Sequence, residues 1–167
     1  MSEDKTIDIL KNAILLEKRG QAFYSKIARQ ATGKAVKVFF ELMADEEVKH
    51  VAILSEQFKA YRQNKQFNPG NYQEDHANSI SAKVLTGDLK KEMSAADYEA
   101  AAISAAMAME KNAIQLYSDR ASEALDSNEK ALYNWLADWE KQHLNFLAEI
   151  DRELTEQVWH DNNFWPF

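Results

Sequence analysis

The sequence states one pattern twice. Glu47-Val48-Lys49-His50 returns as Glu140-Lys141-Gln142-His143 after an offset of 93 residues, and Glu17 and Tyr24 return as Glu110 and Tyr117 at the same offset. The apolar positions keep the register: Leu10 pairs with Ile103, Ile14 with Met107, Ala28 with Ala121, Phe40 with Tyr133, Met43 with Leu136 and Leu54 with Leu147. Apolar residues spaced by threes and fours lie on one face of a helix, so the repeated unit is a pair of amphipathic helices. Any fold of this chain must bring two such pairs together. It must also accommodate the carboxylates and imidazoles that ride on their apolar stripes.

The spacing predicts four helices over residues 5–31, 35–64, 95–125 and 128–158, an all-α four-helix bundle forming one domain over 1–167. Four Gly and two Pro leave few interruptions, and an apolar fraction of 46% is enough to line such helices. The first stripe runs through Ile7, Leu10, Ile14, Glu17, Tyr24, Ala28 and Ala31, and the second through Val36, Phe40, Met43, Glu47, His50, Leu54, Phe58 and Tyr61. The third carries Ile103, Met107, Glu110, Ile114, Tyr117, Ala121 and Ala124; the fourth carries Tyr133, Leu136, Glu140, His143, Leu147, Ile150 and Leu154. Gly33 is expected to take the left-handed conformation that ends helix one. The short Thr32-Gly33-Lys34 connection makes helices one and two antiparallel. Ser94-Ala95-Ala96-Asp97 reads as the cap of helix three, and Asp126 with Glu129 as a capping box for helix four.

Between residues 65 and 94 the periodicity fails, and Asn68-Pro69-Gly70-Asn71 and Thr86-Gly87-Asp88 are turn signals. If the two pairs face each other about a dyad perpendicular to the bundle, this crossover must travel the bundle's length. That is roughly 45 Å for a 30-residue helix, within reach of about 28 extended residues. A short helix around Ile80 to Leu85 is expected inside it. Residues 160–167 are expected to form a non-helical aromatic tail. Val158 and Trp159 just before it, with Phe164, Trp165 and Phe167 within it, suit packing against a second copy in a homodimer, the alternative being docking on the chain's own bundle.

Four carboxylates on inner faces are costly, since each buried ionised group is disfavoured by several kcal/mol and the four repel one another. No Lys or Arg occupies a matching stripe position. Two divalent cations would balance Glu17, Glu47, Glu110 and Glu140, with His50 and His143 as nitrogen ligands. Oxygen and imidazole donors suit iron or manganese, and zinc accepts the same set. Tyr24 and Tyr117 lie two turns along from Glu17 and Glu110, where they either hydrogen-bond a ligand or serve as ordinary core. Asp45 and Asp138 face away from the stripes and read as solvated; His76 and His160 read as surface residues. Trp135, Trp139, Trp159 and Trp165 read as packing or subunit contacts.

Composition removes other classes. The chain has no cysteine, which excludes disulfides and thiolate-held zinc, haem or iron–sulfur centres. A net charge of −7 does not suit a nucleic-acid surface. No run of about 18 apolar residues is present to span a membrane, and the opening Met1-Ser2-Glu3-Asp4-Lys5 is unlike a secretory signal. The expected location is the cytoplasm.

From Ile7 to about Trp159 the chain resembles the ferritin-like di-iron superfamily and, within it, the rubrerythrin-like proteins. The resemblance rests on Glu17, Glu47-Val48-Lys49-His50, Glu110 and Glu140-Lys141-Gln142-His143. It implies a di-iron centre bridged by Glu47 and Glu140, with Glu17 and Glu110 as terminal ligands and one histidine on each iron. It further implies reduction of hydrogen peroxide or dioxygen by these six residues, with electrons from a separate donor protein. Rubrerythrin proper adds a rubredoxin-like domain with four cysteine ligands, which this chain lacks, and a further helix-three carboxylate, where Met107 and Ala113 stand here. Bacterioferritin has the same six ligands, and its resemblance implies the alternative of a ferroxidase or iron-storage protein. Its haem-binding methionine falls at Val48, so haem is not expected. The quinone-biosynthesis hydroxylases share the ligands as well, but the polar balance of this chain disfavours them.

Overall fold

The computed structural model describes residues 3–70, 72, 89, 92, 93 and 98–161. They form α1 (Glu3–Gln30), α2 (Lys34–Asn64), α3 (Tyr98–Glu123) and α4 (Ser127–Asp161), with no strand among the described residues. α1 packs closely on α2 and α3 on α4, while α1 and α3 meet only narrowly. This is the all-α bundle of two helix pairs that the duplication requires. No helix among the described residues is long and apolar enough to cross a membrane.

The buried line of α1 runs Thr6, Leu10, Ala13, Glu17, Gly20, Tyr24 and Ile27, alternating steps of four and three. Ile7 and Ile14, expected on this line, sit half-buried at its edge, and Met107 and Ile114 do the same on α3. The fully covered positions beside the glutamates are small: Ala13, Gly20, Ala106 and Ala113. Glutamate side chains fill the middle of the bundle, and larger neighbours would compete with them for the same space.

Gly33 is a correction. It is extended, with φ −79° and ψ 136°, and stands as the N-cap of α2, so the left-handed ending of α1 does not occur. The reason is the crossover, whose Glu92 lays its carboxylate on the first turn of α2: Oε2 accepts the N–H of Ala35 at 2.7 Å and of Val36 at 3.4 Å. A Cβ on Gly33 would lie 2.5 Å from that oxygen, so glycine is what lets the carboxylate in. Among the described residues the left-handed position belongs to Lys65, φ 57°, whose N–H closes α2 on Tyr61 O at 2.9 Å.

Asp126 caps α4 as expected, its Oδ1 accepting the N–H groups of Asn128 and Glu129 at 2.7 and 3.0 Å. Glu129 pairs instead with the buried Arg120 at 2.9 Å, and Arg120 also holds Glu123 at 2.8 Å. α4 continues through His160 and Asp161, beyond the predicted stop. A proline bars a helix from the residue four before it, which for Pro166 is position 162, so the sequence sets no obstacle to a helix ending at Asp161. Residues 162–167, the expected helix at 80–85, the expected cap at 94–97 and His76 lie outside the described residues.

Both ends of the crossover are fixed. Phe67 is buried against Tyr61 and Tyr133, with ring centroids 5.2 and 6.5 Å away, and its carbonyl accepts Asn128 Nδ2 at 3.1 Å beside the α3–α4 turn. Gln57 clamps Asn68 through both backbone groups, at 2.9 and 3.2 Å. At the other end Leu89 and Met93 are buried with Val36 and Phe39, near the α1–α2 turn that Glu92 caps. The described ends of the connection therefore lie at opposite ends of the bundle, as the dyad demands. Two apolar clusters result, one containing Tyr24, Phe40 and Ile103, the other Tyr117, Leu132 and Leu136. The polar site lies where the two tyrosines point.

Candidate metal centre

All six candidate ligands are buried, none more than 3% exposed, and each helix supplies its share: Glu17 from α1, Glu47 and His50 from α2, Glu110 from α3, Glu140 and His143 from α4. The glutamate and histidine of each Glu-x-x-His motif share a face because three residues make nearly one turn. His50 Nδ1 lies 3.0 Å from Glu140 Oε1, 3.3 Å from Glu17 Oε2 and 3.4 Å from Glu47 Oε2. His143 Nδ1 lies 3.1 Å from Glu140 Oε2, 3.7 Å from Glu110 Oε1 and 3.8 Å from Glu47 Oε1.

Two donor sets follow: Glu17, Glu47, His50 and Glu140; and Glu47, Glu110, Glu140 and His143, the donor atoms of each lying within 4.8 Å of one another. Glu47 and Glu140 belong to both, and each turns one oxygen to His50 and the other to His143. That is the arrangement of carboxylates able to bridge two cations. Glu140 Oε1 is buried and, although His50 Nδ1 lies 3.0 Å away, has no well-formed hydrogen bond, an oxygen suited to a cation.

Protein groups alone balance this charge only by holding protons. Burial, then the Glu140 charge, raises the Glu47 carboxyl well above its ordinary value, and the same two causes push Glu110 up to about 7 against the pull of His143. Glu140 is the exception: burial pushes it up, yet His50 and His143 hold it well below the carboxylate range. Both imidazoles are disfavoured as cations by burial but raised well above their ordinary value by the carboxylates around them.

Tyr24 and Tyr117 do hydrogen-bond the carboxylates, and they do so crosswise. The Tyr24 hydroxyl on α1 donates to Glu110 Oε1 on α3, and Tyr117 on α3 donates to Glu17 Oε1 on α1. Burial, then the facing carboxylate, holds each phenol protonated, which keeps it a donor. Asp45 and Asp138 are exposed as expected.

Glu46 and Trp139 were not legible as part of the site. Glu46 Oε2 lies 2.6 Å from His143 Nε2, and Trp139 Nε1 donates to the same oxygen at 2.9 Å. Trp139 is therefore more than the packing residue its sequence context suggests. The signal for Glu46 was its position one turn before His50, but it serves the histidine of the opposite helix pair, which spacing along one helix does not reveal.

A cavity of about 410 Å³ opens between α1 and α3, lined by Leu15, Leu16, Met109 and Leu116, with Asn12, Arg19 and Asn112 also on its wall. Glu17, Glu47, Glu110 and Glu140 line it as well, so it gives access to the carboxylates. Gly20 and Ala113 keep it open: a Cβ on Gly20 would meet Glu47 Cδ at 3.3 Å.

Residues 8–151 match the family described as Rubrerythrin. The chain belongs to the rubrerythrin family. Neither the curated proteins nor the solved structures gave a match. The family is one of ferritin-like di-iron proteins, and the doubled donor set of this member could hold two metal ions. Where an added carboxylate would stand three residues after Glu110, this rubrerythrin relative has Ala113 on the cavity wall. The 167 residues contain no cysteine, so they form no rubredoxin-type iron site.

Proposed function

We propose that this chain is a di-iron oxidoreductase that reduces hydrogen peroxide or dioxygen with electrons from a separate carrier protein. The observation that carries the reading is the pair of donor sets sharing Glu47 and Glu140, reached through the cavity between α1 and α3. Glu17, Glu47, His50 and Glu140 would hold one iron, and Glu47, Glu110, Glu140 and His143 the other. A di-ferrous pair held there would supply the two electrons needed to convert one peroxide and two protons to two waters. The protein's part is to admit a small oxidant past Leu15, Leu16, Met109 and Leu116 to the carboxylates. Tyr24, a buried phenol that stays protonated and donates to Glu110, keeps a proton beside the site. Haem is not expected, because Val48 stands where the haem-binding methionine of bacterioferritin would fall. The cytoplasm, and a homodimer built through the aromatic tail, complete the reading.

Anaerobic titration of the ferrous protein with peroxide tests it: oxidation of both irons by one equivalent is expected, and inertness to both peroxide and dioxygen would overturn it. The mass in sedimentation separates this from ferroxidase and storage chemistry of the bacterioferritin kind. A pair of chains agrees with the oxidoreductase, whereas a closed cage of many chains that deposits iron would replace it.

A further inference from the structure

Positions 46 and 139 are counterparts in the duplication, 93 residues apart, yet one is glutamate and the other tryptophan. The ligand candidates and the two tyrosines are matched by their own kind. Positions 46 and 139 each stand four residues before a site histidine, one helical turn away. Their effects on the two histidines differ completely.

Glu46 crosses from α2 to His143 on α4, where its Oε2 lies 2.6 Å from Nε2. The indole N–H of Trp139 joins the same oxygen at 2.9 Å. His143 therefore has a carboxylate on its outer nitrogen while its inner nitrogen faces Glu47, Glu110 and Glu140. His50 has the equivalent inner contacts, but its outer nitrogen is buried with no hydrogen-bond partner. Around it stand Trp135 and Trp139, edge-on, with centroids 5.7 Å from the imidazole in both cases. One ring is held by an anion, the other by aromatic packing.

We propose that the two metal positions are unequal and that Glu46 makes them so. This rests on the reading of the cluster as a two-ion site. An anion on the outer nitrogen fixes the hydrogen there, fixes the ring's orientation and raises the donor strength of the nitrogen turned to the metal. The ion held with His143 gains all three effects. The ion held with His50 gains orientation alone. Glu46 is a positioning residue: it acts through His143 and lines neither donor set.

Cobalt(II) added to chelator-stripped protein, followed by calorimetry and by visible absorption, tests the idea without reference to turnover. Wild type should bind two ions in two resolved steps. Glu46→Ala should weaken the tighter step by about 10–100-fold, the range usual for loss of a ligand's outer hydrogen-bond partner, and leave the weaker step unchanged. Glu46→Gln, which keeps a hydrogen-bond acceptor but not the charge, should fall between. Far-ultraviolet circular dichroism and urea unfolding of the Glu46 variants, with a helical signal and a cooperative transition like those of wild type, guard against a loss of fold. Two equal steps in wild type, or equal weakening of both steps in Glu46→Ala, would overturn the inequality while leaving the two-ion reading intact. Failure of wild type to bind any cobalt or iron would remove both.

Discussion

Chelator-stripped protein should lose stability as pH rises from about 5 to about 8, against the usual pattern of acid unfolding. The Glu110 carboxyl is pushed from 4.5 to about 7, chiefly by burial and then by the Glu140 charge. Between those values the folded chain keeps a proton that the unfolded chain has released, so each step upward in pH favours unfolding. At about 1.4 kcal/mol per pH unit the interval is worth about 3 kcal/mol, an upper figure since the site's groups share protons and their contributions do not add. His50 and His143 act in the same direction, because a raised imidazole stabilises fully below its ordinary value and ceases to as pH passes the raised one. Glu140 and Glu46 are lowered, so their contribution is complete above the ordinary carboxylate range and is lost only in stronger acid, outside this window.

For a chain of this length about 3 kcal/mol corresponds to a fall in Tm of roughly 6–12 °C. Calorimetric melts of the stripped protein across that pH range measure it directly. Glu110→Gln, neutral throughout, should flatten the Glu110 share of the slope. Addition of iron or manganese should reverse the trend, since protons then compete with the metal for its ligands. A Tm of stripped protein that stays level or climbs from about pH 5 to 8 would refute the claim that the cluster balances its charge with protons.

Glu47→Ala removes a member of both donor sets and should abolish tight binding of both ions, whereas Glu17→Ala should spare one; elemental analysis after dialysis distinguishes the two. Tyr24→Phe and Tyr117→Phe each delete one hydrogen bond to a buried carboxylate and should each cost about 1.5–3 kcal/mol in urea unfolding of the stripped protein. Arg120→Ala leaves Glu129 buried without its cation and should destabilise by about 3–5 kcal/mol by the same assay, with metal content unchanged.

The sequence displayed the helices and the six ligand candidates for a common reason: polar residues on an apolar stripe are expensive, and their repetition at one offset makes accident untenable. What it concealed depends on contacts between distant segments. Gly33 looked like a helix ending because nothing local announced that Glu92 would cap α2 from 57 residues away. Ala13, Gly20 and Ala106 drew no attention beside Ile14 and Met107, since burial of small residues is decided by what must fit next to them. The crossed tyrosines were ambiguous along one helix and definite only across two.

Glu46 shows a deeper limit of reasoning from a repeat. Residues n and n + 93 that touch each other must lie near the axis relating the halves, and Glu46 touches Trp139 at 2.9 Å. Off the axis, partners are exchanged: Tyr24 serves Glu110 and Tyr117 serves Glu17. On the axis a residue meets its own counterpart, so an identical acidic pair repels itself. Glu47 and Glu140 keep that identity in a place where two donor sets overlap and a cation can stand between them. Glu46 has no such site, and its counterpart is a hydrogen-bond donor. Trp139→Glu would restore the identity by putting a second buried carboxylate beside the first. It should cost several kcal/mol more than Trp139→Phe, which loses only the indole donor. Equal stability of the two variants in urea would show that the axis tolerates like charges and that the tryptophan stands there for its bulk.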